Sequence, residues 1–308
     1  MVTALYTHPD CLDHDTGPGH PECTDRLKSV LAALEAEEFA LLDRREAPLA
    51  AEEMLERVHE TAYVRQTLAA MPEDGFKRLD PDTVVSPGSG RAALRAAGAA
   101  VAAVDAVMAG EVRNAFCAVR PPGHHAEPGR AMGFCLFNNV AVAAAHAHHV
   151  HGLDRLFILD FDVHHGNGTQ ALAEHDDRVF YASLHQHPFY PGTGDARETG
   201  RGNVLNVPLS AGAGSADFRK GFERQVMPAI ETFKPEMIFI SAGFDGHAMD
   251  PLAEMNLKAD DFGWATGLLC EAANRLCSAR VVSTLEGGYN LGVLGSCAAA
   301  HVRALMTT

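Results

Sequence analysis

Seven short apolar runs punctuate the chain, at 4–7, 115–119, 156–160, 179–184, 204–207, 237–241 and 281–285, each bounded by polar or glycine-rich residues. Runs of this kind read as strands buried on both faces, as in a parallel sheet. Between most of them apolar residues recur at three-and-four spacing, which predicts helices over 24–38, 59–70, 90–109, 137–149, 215–233, 260–277 and 291–306. Strands alternating with helices predict an α/β protein with a mostly parallel central sheet covered by helices on both faces. No repeat, linker or low-complexity tract interrupts the pattern, so residues 1–308 are expected to form a single domain.

The polar positions add a second pattern. Four runs are followed at once by titratable groups: Arg120-Pro-Pro-Gly-His124-His125, Asp160-Phe-Asp162-Val-His164-His165-Gly-Asn167, Ala-Gly-Phe-Asp245 and Glu286-Gly-Gly-Tyr289. In a parallel sheet these fall at the carboxyl ends of the strands, where such sheets bind ligands. In an extended segment Asp160, Asp162 and His164 share one face, and Asp162 and His164 can converge on one metal ion. With Asp245 they offer two oxygens and one nitrogen, a set that suits zinc with a position open for water and would also accept ferrous iron.

Two anionic ligands neutralise a divalent cation, so its water is acidified less than by three neutral histidines, and a separate base is needed. His124 and His125 supply it, each requiring an orienting partner. Asp160 and Asn167 stand on either side of the metal motif as those partners; an aspartate favours a charged imidazole and an asparagine a neutral one. The phenol of Tyr289, after two glycines that let the chain bend, can donate to a developing oxyanion. Together these groups specify metal-assisted hydrolysis of an amide or ester, with water as nucleophile.

Composition narrows the setting. With 47% hydrophobic and 21% charged residues the chain is an ordinary globular protein with a packed core. The balance of 25 Lys and Arg against 40 Asp and Glu, net −15, excludes nucleic acid and anionic membranes as expected partners and favours cationic or neutral ones. Seven cysteines without a Cys-x-x-Cys motif read as reduced thiols. The first residues lack the basic and apolar regions of a signal peptide, and the apolar stretch 92–109 carries Arg95 and Asp105, which makes it a poor membrane span. A cytoplasmic enzyme is expected, with a homo-oligomer left open.

The motifs Arg120-Pro-Pro-Gly-His-His-Ala-Glu127, Gly133-Phe-Cys-Leu-Phe-Asn138-Asn139, Asp160-Phe-Asp-Val-His-His-Gly-Asn-Gly-Thr-Gln170, Ser241-Ala-Gly-Phe-Asp245 and Glu286-Gly-Gly-Tyr-Asn290 carry a resemblance. In this order they resemble the zinc-dependent histone deacetylase family, in particular the class II-like bacterial amidohydrolases, from about His20 to the last helix. The resemblance implies a single catalytic domain with the arginase-deacetylase α/β fold, and zinc held by Asp162, His164 and Asp245. It makes His125 the general base and acid, His124 with Asp160 the electrostatic partner, and Tyr289 the phenol that polarises the acetyl carbonyl. Asn167 stands where class II members have asparagine. Gly133, Phe134 and Tyr190 fall along a narrow channel whose walls suit the methylenes of an acyl-lysine.

Potassium is implied near the zinc, at Asp160, Ser183 and several backbone carbonyls. Asp82 matches a rim aspartate that holds a peptide backbone, set against a plain solvated carboxylate. Arg26 matches a residue of an internal acetate exit, set against a helix-surface arginine.

The expected substrates are acylated lysine side chains of proteins or small acylated amines. The alternative is an acetylpolyamine amidohydrolase, against which stands Leu252, where polyamine-selective relatives carry glutamate. A module that binds acyl groups without turnover is disfavoured by intact candidates for every role, and binuclear chemistry by the lack of a second carboxylate set. His146, His148, His149 and His151 read as a solvated helix end without partners, and His185 and His187 as rim or loop residues. The role of His165 is not derivable from sequence.

Overall fold

A computed structural model describes residues 2–307, so the two terminal residues of the expected 1–308 domain lie outside the described residues. The strands are β1 (Thr3–Thr7), β2 (Asp43–Glu46), β3 (Lys77–Arg78), β4 (Val84–Val85), β5 (Asn114–Cys117), β6 (Leu156–Asp160), β7 (Val179–Gln186), β8 (Val204–Leu209), β9 (Met237–Ala242) and β10 (Val281–Leu285). The helices are α1 (Thr24–Ala33), α2 (Glu52–Leu55), α3 (Thr61–Ala69), α4 (Ser89–Met108), α5 (Asn139–His151), α6 (Asn167–His175), α7 (Ser215–Gly221), α8 (Met227–Phe233), α9 (Ala259–Leu276) and α10 (Leu291–Thr307).

Eight strands form one sheet in the order β2-β1-β5-β10-β9-β6-β7-β8, and every neighbouring pair is parallel. The strands expected from apolar runs are all present, and β6, β9 and β10 are buried at every position. Helices α4 and α5 pack on each other and on β9, β10 and the strands beside them, whereas α10 packs on α1 and α9. The sheet is thus covered on both faces, as its apolar strands require.

Three departures from the expected elements have physical causes. Strand β2 reads Asp-Arg-Arg-Glu, half-exposed throughout; a charged strand at a sheet edge has no apolar pattern to betray it. Helix α1 ends at Ala33, where Leu34 turns out of the helix and its carbonyl accepts from Arg44. The helix expected over 215–233 contains a wide turn at Phe222–Val226, because Pro228 cannot donate to the carbonyl four residues back.

This topology positions the site. Strands β5, β10, β9 and β6 are consecutive neighbours, so the segments after Cys117, Leu285, Ala242 and Asp160 leave the sheet side by side at its carboxyl edge.

Candidate active site

Three side chains meet where β6 and β9 end. Nδ1 of His164 lies 3.1 Å from both Oδ1 of Asp162 and Oδ2 of Asp245, and the three donor atoms all lie within 4.8 Å of one another. The outer oxygens are already satisfied: Oδ2 of Asp162 accepts from the Gly287 N–H at 2.8 Å, and Oδ1 of Asp245 from the Val163 N–H at 2.8 Å. A Cβ on Gly287 would stand 2.1 Å from Oδ2 of Asp245 and 2.5 Å from Oδ2 of Asp162, so only glycine lets this backbone approach.

Burial, and then the Asp162 charge, push the Asp245 carboxyl up to about 7. Burial alone would depress His164, but the two carboxylates outweigh it and raise the imidazole to about 10. Two buried carboxylates facing one nitrogen are stable only when a positive charge sits among them. Protons supply it in the metal-free protein, and the donor set fits a divalent cation in their place.

The two adjacent histidines are oriented oppositely in charge. The loop that carries them is pinned by Glu286, which accepts from the N–H groups of Gly123 (2.6 Å) and His124 (3.1 Å). Nδ1 of His124 pairs with Oδ2 of Asp160 at 2.9 Å, and Nδ1 of His125 with Oδ1 of Asn167 at 2.9 Å. Burial works against a charge on His124, yet Asp160 and Asp162 overcome it and hold the ring at about 10. Burial and the neighbouring His124 and His164 drive His125 well below its ordinary value. The amide of Asn167 is itself fixed, because its nitrogen donates to Oε1 of Glu127 at 2.7 Å. Its oxygen therefore accepts from Nδ1–H of His125, which leaves a lone pair on Nε2.

A cavity of about 230 Å³ opens over these groups. His125, His164 and Tyr289 line it together with Gly133, Phe134, Tyr190, Leu252 and Asp82, so every channel residue expected from sequence borders it. Gly133 and Phe134 both have positive φ, +57° and +68°. A Cβ on Gly133 would lie 2.3 Å from the His125 ring, and Phe134 is held in its unfavourable conformation by the Thr83 hydroxyl, which accepts from its N–H at 3.2 Å. Oδ1 of Asp82 accepts from the Gly133 N–H at 3.1 Å, so this half-buried carboxylate is not a solvated loop residue.

Tyr289 is half-buried at the cavity wall, and burial pushes its phenol well above the ordinary value, so it is a proton donor at neutral pH. The Arg26 guanidinium lies 4.8 Å from its ring centre and donates to the carbonyls of Glu286 and Gly288. Arg26 is completely buried, which corrects the helix-surface alternative.

Three groups escaped the sequence reading. Phe189 lines the cavity and stacks on His164 with ring centres 5.3 Å apart, and its only signal was adjacency to Tyr190. Glu286 and Glu127 stand inside quoted motifs, but their contacts cross the sheet edge and are invisible in one dimension. His165 acquires a place: its nitrogens pair with the Thr193 hydroxyl at 2.7 Å and the Gln170 amide oxygen at 2.8 Å, tying the channel loop to α6.

His185 is a fully buried residue of β7 that pairs with Ser183 and the Gly194 carbonyl, so it anchors the channel loop from the sheet and is not a rim residue. The expectation that the 146–151 histidines lack partners is corrected. His146 and His151 both pair with Oδ1 of Asp105 on α4 at 2.7 Å. Arg57 donates to Nδ1 of His146, which puts the ring proton on Nε2 toward Asp105 and makes the cluster an interhelix clasp.

Fold and site together define an amide-hydrolysing enzyme on the arginase-deacetylase scaffold. A histone deacetylase domain matches residues 20–305, and the chain belongs to the histone deacetylase family. It is 42% identical to a histone deacetylase-like amidohydrolase of Pseudomonas aeruginosa, over 98% of this chain and 86% of that protein. It is 38% identical to the polyamine deacetylase HDAC10 of Homo sapiens, over 99% of this chain and 48% of that one. The crystal structure of the HDA15 HD domain matches with a TM-score of 0.92 at 36% identity, covering 99% of this chain and 88% of that one.

Proposed function

We propose that the protein is a zinc-dependent deacylase that hydrolyses the amide of acyl-lysine side chains, or of small acylated amines resembling them. The observation that carries this reading is the convergence of His125, His164 and Tyr289 on one cavity walled by Phe134, Phe189 and Tyr190. Aromatic walls fit the methylenes of a lysine side chain and leave room for its acyl group at the polar end.

Asp162, His164 and Asp245 would hold the zinc, which supplies a Lewis acid and lowers the pKa of bound water. His125, neutral with its lone pair on Nε2, takes the proton from the attacking water and returns it to the leaving amine. His124, charged against Asp160, stabilises the negative charge that develops beside it. The Tyr289 phenol donates to the oxygen of the acyl carbonyl as it becomes an oxyanion.

Asp160, at the end of β6, and Ser183, within β7, are partners in the β6–β7 register, which supports a potassium site beside them. Cys11, Cys23, Cys117, Cys135, Cys277 and Cys297 are free thiols, which fits a reducing compartment such as the cytoplasm. Among the described residues no helix is long and apolar enough to cross a membrane.

Similarity to a polyamine deacetylase supports acetylpolyamines as the second reading. Leu252 on the cavity wall favours the first, because leucine at that place gives no counter-charge to a second ammonium, and the Asp82 carboxylate that also lines the cavity is engaged by the Gly133 N–H. The test compares kcat/KM of the zinc-loaded enzyme on acetyl- and trifluoroacetyl-lysine peptides with acetylputrescine and acetylspermidine. The lysine peptides should be preferred, and Tyr289→Phe should lose about 10²–10³-fold in kcat with zinc retained. Full turnover by the metal-free protein would overturn the mechanism, and polyamine preference would overturn the substrate assignment.

A further inference from the structure

Tyr289 rides on a loop that cannot fix itself. Gly287 and Gly288 precede it, and Gly288 adopts φ +116°, so the local backbone has no side chains of its own to hold the phenol in place. Arg26 grips the carbonyls of Glu286 and Gly288 from the inner side. On the other side the N–H groups of Tyr289 and Asn290 both donate to Oδ2 of Asp250, at 2.6 and 3.2 Å. The other oxygen, Oδ1, accepts from the N–H of Leu252 at 3.0 Å. Asp250 is 7% exposed, and the Asn290 amide reinforces the link by donating to the Met249 carbonyl at 2.6 Å.

One buried carboxylate therefore joins two cavity-lining residues from different loops. Charge-assisted bonds to backbone N–H groups are the strong kind, and they act on the phenol through the backbone nitrogens on either side of its Cα. We propose that Asp250 is a positioning residue, which sets the reach of the Tyr289 phenol and the place of the Leu252 wall together. The proposal rests on the reading of Tyr289 as the oxyanion donor.

Two measurements test it on the full chain. The protein contains five tyrosines, so ¹⁹F NMR of 3-fluorotyrosine-labelled protein gives few signals, and the one missing in Tyr289→Phe belongs to Tyr289. In Asp250→Asn and Asp250→Ala that signal should shift or broaden while those of Tyr63 and Tyr181 stay in place. In kinetics, Asp250→Ala should lower kcat about 10–100-fold with KM changed far less, since misplacement by about 1 Å costs on this order. Asp250→Asn keeps an acceptor for the Tyr289 N–H and should recover most of the loss.

In a Tyr289→Phe background both substitutions should cost less than about twofold, because groups acting as a unit are not additive. An unmoved Tyr289 signal, or losses that multiply fully onto Tyr289→Phe, would overturn the proposal. If the alanine variant fails to fold, the Tyr289 signal in the asparagine variant decides: a shifted or broadened signal supports the proposal and an unmoved one overturns it. If no form of the enzyme deacylates any substrate, the proposed function has failed, and the NMR result still decides the role of Asp250.

Discussion

Replacing Asn167 with aspartate places a carboxylate 2.9 Å from Nδ1 of His125, the arrangement that His124 already has with Asp160. Two unit charges about 4 Å apart interact by about 4 kcal/mol at an effective dielectric of 20, close to three pKa units. The new carboxylate loses part of this to its own burial, because Asn167 is only 8% exposed. A rise of about one to three units in the His125 pKa is the expected net result.

Glu127 must change with it, since the Asn167 amide nitrogen donates to Oε1 of Glu127 at 2.7 Å and an aspartate there would face a second carboxylate. The informative variant is therefore Asn167→Asp with Glu127→Gln. The base works unprotonated, so a raised pKa moves the acidic limb of the kcat/KM profile to higher pH by the same one to three units, about tenfold in rate per unit below the limb. The assay is that profile on an acyl-lysine peptide, with zinc content measured alongside. An acidic limb that stays in place or moves down, with zinc intact, would refute His125 as the proton acceptor.

Gly287→Ala forces a Cβ against Asp162 and Asp245 and should weaken zinc binding at least tenfold, read by competition with a chelating dye; unchanged affinity would contradict the close approach. Chelation should make stability fall more steeply with pH between 7 and 9. His164 in the metal-free fold is raised to about 10, so its stabilisation is complete below the unfolded value near 6.5 and is lost as pH rises toward 10. Buried histidines with depressed values, such as His125 and His165, titrate below this window. Parallel slopes of Tm against pH with and without zinc would sink the argument. Leu252→Glu should raise the kcat/KM ratio of acetylspermidine to acetyl-lysine peptide by about tenfold or more, because a carboxylate on the cavity wall meets the second ammonium; an unchanged ratio would remove Leu252 from substrate selection.

The strands and most helices were legible because parallel strands buried on both faces need unbroken apolar runs, and these stand out in one dimension. Strand β2 was not, since an edge strand of charged residues carries no such mark. Gly133 illustrates a different limit. Its motif was legible, but only the folded chain shows the His125 ring 2.3 Å from where a Cβ would be. Sequence left Arg26 open between an internal channel residue and a helix-surface arginine; it is fully buried beside Tyr289, where it also donates to carbonyls of a distant loop that sequence position does not reveal.

By itself the sequence determined the α/β architecture and the chemical inventory: which strand ends carry carboxylates, imidazoles and a phenol. Side chains two residues apart on an extended segment share a face whatever else the chain does, so Asp162 and His164 were a pair from the start. Spacing alone left open which partner each histidine took; the family resemblance implied Asp160 for His124, and the tertiary structure makes both pairs. Parallel strand order brings Asp160 to His124 and Asn167 to His125, and burial then turns the difference between a carboxylate and an amide into a charged ring beside a neutral one. Electrostatic effects of that size depend on distances of a few ångströms between segments far apart in sequence, and those distances exist only once the sheet has formed.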